Sequence, residues 1–154
     1  MRYLNIVLTF FLITSCNVFN AESNADENFS NNNTYTSPSL LYNTKIFTES
    51  TSGSIANQID IVINSDLFTG SNGEDFIGTG KVTLVNIPAG LTAVLTRISS
   101  TKLTLTLSGA ASNHAPGNNV SNITLQIHDN AFSSTPASGV NNSLVSDIAI
   151  NFSV

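Results

Sequence analysis

Beyond residue 40, apolar side chains recur at every second position. Ile59, Ile61 and Ile63 alternate with Asp60 and Val62, and Val82 and Leu84 with Thr83. Leu103, Leu105 and Leu107 alternate with Thr104 and Thr106, and Ile123, Leu125 and Ile127 with Thr124, Gln126 and His128. Ile148, Ile150 and Phe152 alternate with Asp147, Ala149 and Asn151. Period two is the mark of a strand buried on one face. Two further candidates lie at 44–49 and 91–98. Turn chemistry falls between them: Pro88 and Gly90 in "NIPAGL" (86–91), and a short connection in "ISSTK" (98–102). No segment sustains a helical period, although 113–120 leaves room for a single turn. Seven strands in 40–154 predict an all-β fold, an antiparallel immunoglobulin-like β-sandwich. With one Cys and no Trp, the Cys…Trp…Cys signature is absent, so the likeness is one of layout.

The amino-terminal end has a different character. Met1 and Arg2 supply a positive start, and 6–13 is an apolar stretch. It is shorter than the roughly 20 residues that span a bilayer and fits the apolar region of a secretory signal peptide. Cleavage after Ala21 would place Phe19 where a small residue is needed. Ile13-Thr14-Ser15-Cys16 is similar to the bacterial lipobox, in which the Cys is acylated before cleavage. That resemblance implies a lipoprotein signal peptide over 1–15 and makes Cys16 the lipidated first residue of the mature chain. Two or more acyl chains hold firmly to a membrane where one holds marginally. The competing reading is an ordinary signal peptide with an incidental Cys. Over 16–39, "NVFNAESNADENFSNNNTYTSPS" follows Cys16 with little apolar periodicity, which predicts a flexible Asn/Ser-rich tether.

Composition narrows the functional classes. Charged residues make up 10% of the chain, against about a quarter in ordinary soluble domains. A formal charge of -5 without a Lys/Arg cluster excludes nucleic acid as a partner. A single Cys excludes an internal disulfide, so stability must come from packing.

The segments "FTES" (47–50), "GSIANQIDIVI" (53–63), "FTGSNGEDF" (68–76), "GKVTLVNIPAGLTAVLTR" (80–97), "NHAPGNNVSNITLQIHDNAF" (113–132) and "SDIAINF" (146–152) form an ordered series. The series resembles a module found in tandem in large bacterial extracellular proteins described as adhesin-like or hemolysin-type calcium-binding. The resemblance implies a surface spacer or binding unit. One copy behind a lipobox departs from the tandem pattern and cannot build a long stalk.

Few residues offer chemistry. "GTGKVT" (78–83) lacks the first Gly and the hydroxyl residue of a phosphate loop, with Asp75 and Val82 at those positions. Asp66, Asn72, Glu74, Asp75 and Asp129 are hard oxygen donors, and together they form the candidate Ca²⁺ site, the one cofactor the chain suggests. The alternative is a tight turn at Asn72-Gly73 with its acids solvated. His114 and His128 are not tied to any catalytic motif and read as solvated or locally bonded. Arg97 reads as a rim residue capping the sandwich. Asn28, Asn32, Asn119, Asn122, Asn141 and Asn151 head N-x-S/T triplets, which an Asn- and Ser-rich chain produces by chance. No residue is assigned to catalysis, and the chain reads as a non-enzyme. The expected protein is a lipid-anchored component of the bacterial cell envelope, at the outer membrane or cell surface. It would contact a protein or glycan through loops 64–80, 109–121 and 130–145. The alternatives are a structural subunit that self-associates through sheet edges and a Ca²⁺-binding spacer.

Overall fold

The computed structural model describes residues 36–153. The expected signal peptide and lipobox, Cys16 and the expected tether up to residue 35 lie outside the described residues. Eight strands follow one another: β1 (Ser39–Tyr42), β2 (Ile46–Thr48), β3 (Ile59–Asn64), β4 (Val82–Val85), β5 (Leu91–Ser99), β6 (Lys102–Gly109), β7 (Val120–Ile127) and β8 (Leu144–Asn151). Single 3₁₀ turns occupy Pro116–Asn118, Asp129–Ala131 and Ala137–Gly139. The strands form two four-stranded sheets, in the orders β1-β3-β6-β5 and β2-β8-β7-β4. This is the strand order of the immunoglobulin constant-type sandwich, with the first strand divided between the sheets.

That division is where the expected pattern changes. Asn43 turns the corner, its Oδ1 accepting from Thr44 N and Asp60 N at 2.8 Å each. The chain then joins the second sheet, and β2 pairs parallel with β8, while every other ladder is antiparallel. Strand β1 shows no alternation to betray it, because Leu40 is buried and Leu41 beside it is exposed.

Elsewhere period two becomes burial directly. Ile59, Ile61, Ile63, Leu95, Leu103 and Leu105 of one sheet face Phe47, Ile123, Leu125, Ile127, Ile148 and Ile150 of the other, all buried. Each such side chain contributes roughly 1.5–3 kcal/mol on leaving water. The seam between the sheets is the core.

The connections gather at two poles. At the first lie 65–81, the tight turn after β5, and 128–143. Here the chain comes in, with Asn141 N donating to Pro38 O at 2.8 Å and Thr36 bonded to Ser65 through their hydroxyls at 3.1 Å. Phe68 stacks on Phe132 and meets Phe76 edge-on, both at 6.0 Å between centroids, and the three rings plug this pole. At the second pole lie 49–58, 86–90, 110–119 and Ser153.

Three of the four sheet edges are covered in part by the chain itself. Along β1, Leu40 N donates to Asn141 O at 2.9 Å and Leu40 O accepts from Asn142 Nδ2 at 3.0 Å. Along β2, the Asn57 amide stands in for a strand, accepting from Thr48 N at 2.8 Å and donating to Ile46 O at 2.9 Å. Along β5, Phe76 N donates to Leu95 O and Arg97 N to Glu74 O, at 2.8 and 2.9 Å. On β4, Val82 N reaches Phe76 O at 3.1 Å, which leaves the outward backbone groups of Leu84 as the open stretch.

At the second pole the start of β5 and the end of β6 touch backbone to backbone. Gly90 has φ +91°, and a Cβ there would stand 2.1 Å from Ala110 O. Both the positive φ and the contact demand glycine. The Gly90→Ala variant is expected to lose about 2 kcal/mol of stability or more, read as a lower urea midpoint with an unchanged slope.

Candidate functional site

The five oxygen donors singled out in the sequence do not converge on a common centre. Asp66 is buried, and its Oδ1 accepts from Leu67 N at 2.7 Å and Ser133 Oγ at 2.8 Å. Its Oδ2 accepts from Thr135 N at 2.9 Å, so it ties the 128–143 connection to the end of β3. Asn72 Oδ1 accepts from Arg97 Nη1. Glu74 pairs with Lys81 at 2.7 Å and accepts from Ser71 N at 3.1 Å. Asp75 Oδ1 accepts from Ile77 N at 3.0 Å and Leu95 N at 3.3 Å, and Asp129 Oδ1 from Ala137 N at 2.7 Å. Among the described residues, no group of three or more His, Cys, Asp or Glu is placed to hold a metal ion. The turn at Asn72-Gly73 is present, with Glu74 N donating to Ser71 O and Gly73 at φ +88°. Its acids, Glu74 and Asp75, are half-buried, and protein donors hold them.

Arg97 also differs from its expected place at the rim. It is 9% exposed and points inward from β5, beneath the 65–81 connection. Nη2 donates to Phe68 O at 3.4 Å, and Nε has no hydrogen-bond partner among the described residues. No carboxylate pairs with it among the described residues. Its guanidinium therefore serves as a donor fork that holds residues 68–72.

The second pole is organised by a residue the sequence did not single out. Glu49, with its side chain 2% exposed, accepts from Gly53 N at 2.6 Å and from Ser153 N at 2.7 Å. His114 Nδ1 lies 3.0 Å from Glu49 Oε1. One carboxylate thus joins the connection after β2, the connection after β6 and the stretch beyond β8. Two of its partners lie 65 and 104 positions away, so no local motif could have revealed it.

Around the turn Pro116–Asn118, two hollows share Asn113 and Asn118. One, of 380 Å³, is lined by Asn86 and Asn122, with Ile87 and Pro88 along its side. The other, of 400 Å³, runs past Ser112 and His114 to Ser153. Asn86 adopts φ +68° and donates from Nδ2 to Asn122 O at 2.8 Å. Asn119 turns the other way, its Oδ1 accepting from Phe152 N at 2.7 Å. A broader hollow of 640 Å³ at the first pole is bordered by Gln126, His128, Asp129 and Asn130. There His128 Nε2 is 2.8 Å from Thr83 Oγ1. The three loops expected to carry contacts are split between the two ends: 110–119 stands at the second pole, and the other two at the first.

Four of the carboxylates, Glu49, Asp60, Asp66 and Glu74, share one electrostatic signature. Gly53 N and Ser153 N hold the pKa of Glu49 below its usual range, and Lys81 and then Ser71 N do so for Glu74. Lys102 and Thr104 lower Asp60. For Asp66, burial pulls upward, but the bonds from Leu67, Ser133 and Thr135 outweigh it and the pKa falls.

No protein-family model matches the chain. No curated protein matches it. Among solved structures it is similar to chitinase ChiW of Paenibacillus sp. str. FPU-7, described as a bacterial cell-surface-expressed multi-modular enzyme machinery. The TM-score is 0.54 at 11% identity, over 75% of this chain and 13% of the chitinase chain. The likeness is one of fold: a β-sandwich module that a much longer cell-surface protein also contains.

Two outcomes follow. A group whose folded pKa is lowered stabilises the fold fully above its unfolded value, about 4 for a carboxylate, and that stability is lost as pH falls through the folded value. The melting temperature is expected to hold from neutrality down to about pH 5 and to drop below about pH 4, with a shallower drop for Glu49→Gln. Because the acids already hold protein donors, melting in millimolar Ca²⁺ and in EDTA should coincide. A clear rise with Ca²⁺ would mean that the 65–81 connection rearranges to bind it.

Proposed function

We propose that this chain is a cell-envelope protein, anchored by acyl chains on Cys16, that displays its sandwich as a non-enzymatic binding module. The observation that carries this reading is polar opposition. The polypeptide comes into the sandwich at the first pole, and the paired hollows lie at the second. An anchor on the amino-terminal side is joined to the sandwich at the first pole, at the opposite end from the hollows. The similarity to a module of a cell-surface-expressed protein supports the extracellular setting, and Ile13-Thr14-Ser15-Cys16 supports the anchor.

The competing reading, an envelope subunit assembled through sheet edges, is weakened by the partial cover along β1, β2 and β5. Among the described residues the uncovered stretches are short, around Ala93 on β5 and Leu84 on β4, and a few backbone bonds are a small basis for assembly. His114, beside Glu49, and His128, beside Thr83, stand at opposite poles and do not combine in one site.

Protease shaving of intact cells that produce the chain tests the display. The sandwich should be cleaved on whole cells as it is after lysis, and Cys16→Ala should move the chain from the membrane to the soluble fraction. Protection until lysis would place the module inside the envelope and end the display reading. Unchanged fractionation of Cys16→Ala would end the anchor.

A further inference from the structure

We propose that the asparagine-lined trough at the second pole binds neutral, hydroxyl-rich glycan chains. This rests on the display reading and names the ligand of the surface displayed.

The chemistry of the lining makes the choice. No Asp, Glu, Lys or Arg lines either hollow. Glu49, which lies behind them, is buried and spent on three partners. An anionic ligand would find no Lys or Arg to pair with, and a cationic ligand no carboxylate. Asn86, Asn113, Asn118 and Asn122 offer amides, each with an acceptor oxygen and two N–H donors. A sugar hydroxyl is likewise donor and acceptor at one atom, so vicinal hydroxyls match a set of amides. Ile87 and Pro88 supply an apolar strip for the C–H face of a pyranose. Each hollow falls within the roughly 300–1,000 Å³ of small-ligand sites. The two hollows adjoin at Asn113 and Asn118, and we take the pair together as the trough for more than one sugar unit.

The trough is also held in shape without a ligand. Ser112 N donates to Ala89 O at 2.8 Å and Ala110 N to Gly90 O at 3.1 Å, locking 86–90 against 110–112. Asn86 is fixed by its bond to Asn122 O. A site already ordered loses less entropy on binding. The hollow at the first pole has a different lining, with Asp129 and His128 at its border.

The test is titration of the full chain with tetrasaccharides of β-1,4-linked glucose and of β-1,4-linked N-acetylglucosamine, beside a heparin octasaccharide. Saturable binding of at least one neutral tetrasaccharide and none of heparin is expected. The Asn113→Ala/Asn118→Ala double variant should keep the wild-type melting temperature and lose at least tenfold in affinity. Gln126→Ala/Asn130→Ala, at the first pole, should bind as the wild type does. Binding that survives the first pair and is lost with the second would overturn the proposal. So would a preference for heparin, or no neutral binding at all. None of these outcomes touches the display reading, which stands or falls on shaving.

Discussion

Two apolar faces pressed together hold this molecule. Among the described residues no disulfide joins one sheet to the other, and the seam is built of Leu, Ile and Phe with Val and Ala. Everything else is arranged around keeping that seam closed at its ends. The first pole is shut by three phenylalanine rings carried in on long connections. The second is shut by backbone contact between two glycines and by one buried carboxylate.

The small complement of charge is spent in the same way. Asp66, Glu74, Asp75 and Asp129 each accept hydrogen bonds that fix a connection to the strand or turn beside it. Arg97 does this as a cation without a carboxylate partner, which is costly inside a protein and tolerable only because backbone and amide oxygens receive its donors. An acidic loop that suggests metal binding is, in three dimensions, a set of ties. The amides of the second pole are not drawn into such ties to the same degree, and this makes that pole the chemically available one.

Much of this was legible in the sequence, and the limits are physical. Alternation exposed the strands because burial on one sheet face has period two, and Leu103, Leu105 and Leu107 lie on the seam as the pattern required. Strand β1 escaped because four residues at a sheet edge need not alternate. The parallel pairing of β2 escaped because the change of sheet depends on Asn43 reaching Asp60, a contact with no local trace. The poles were legible only in part: loop lengths can be counted, but which loops share an end depends on strand order. Glu49 was invisible for the same reason. Its partners are brought near by the whole topology, and a Glu at the end of a strand looks like any other.

The split first strand has one more consequence, a mechanical one. Thr36 lies at one pole and Ser153 at the other, so tension applied between these points runs along the strands. The β2–β8 ladder is parallel, and its hydrogen bonds lie across that direction. They would be loaded together, in shear, instead of being peeled apart one at a time. By that geometry a ladder of only three residues resists stretching along the strands more than it would resist peeling.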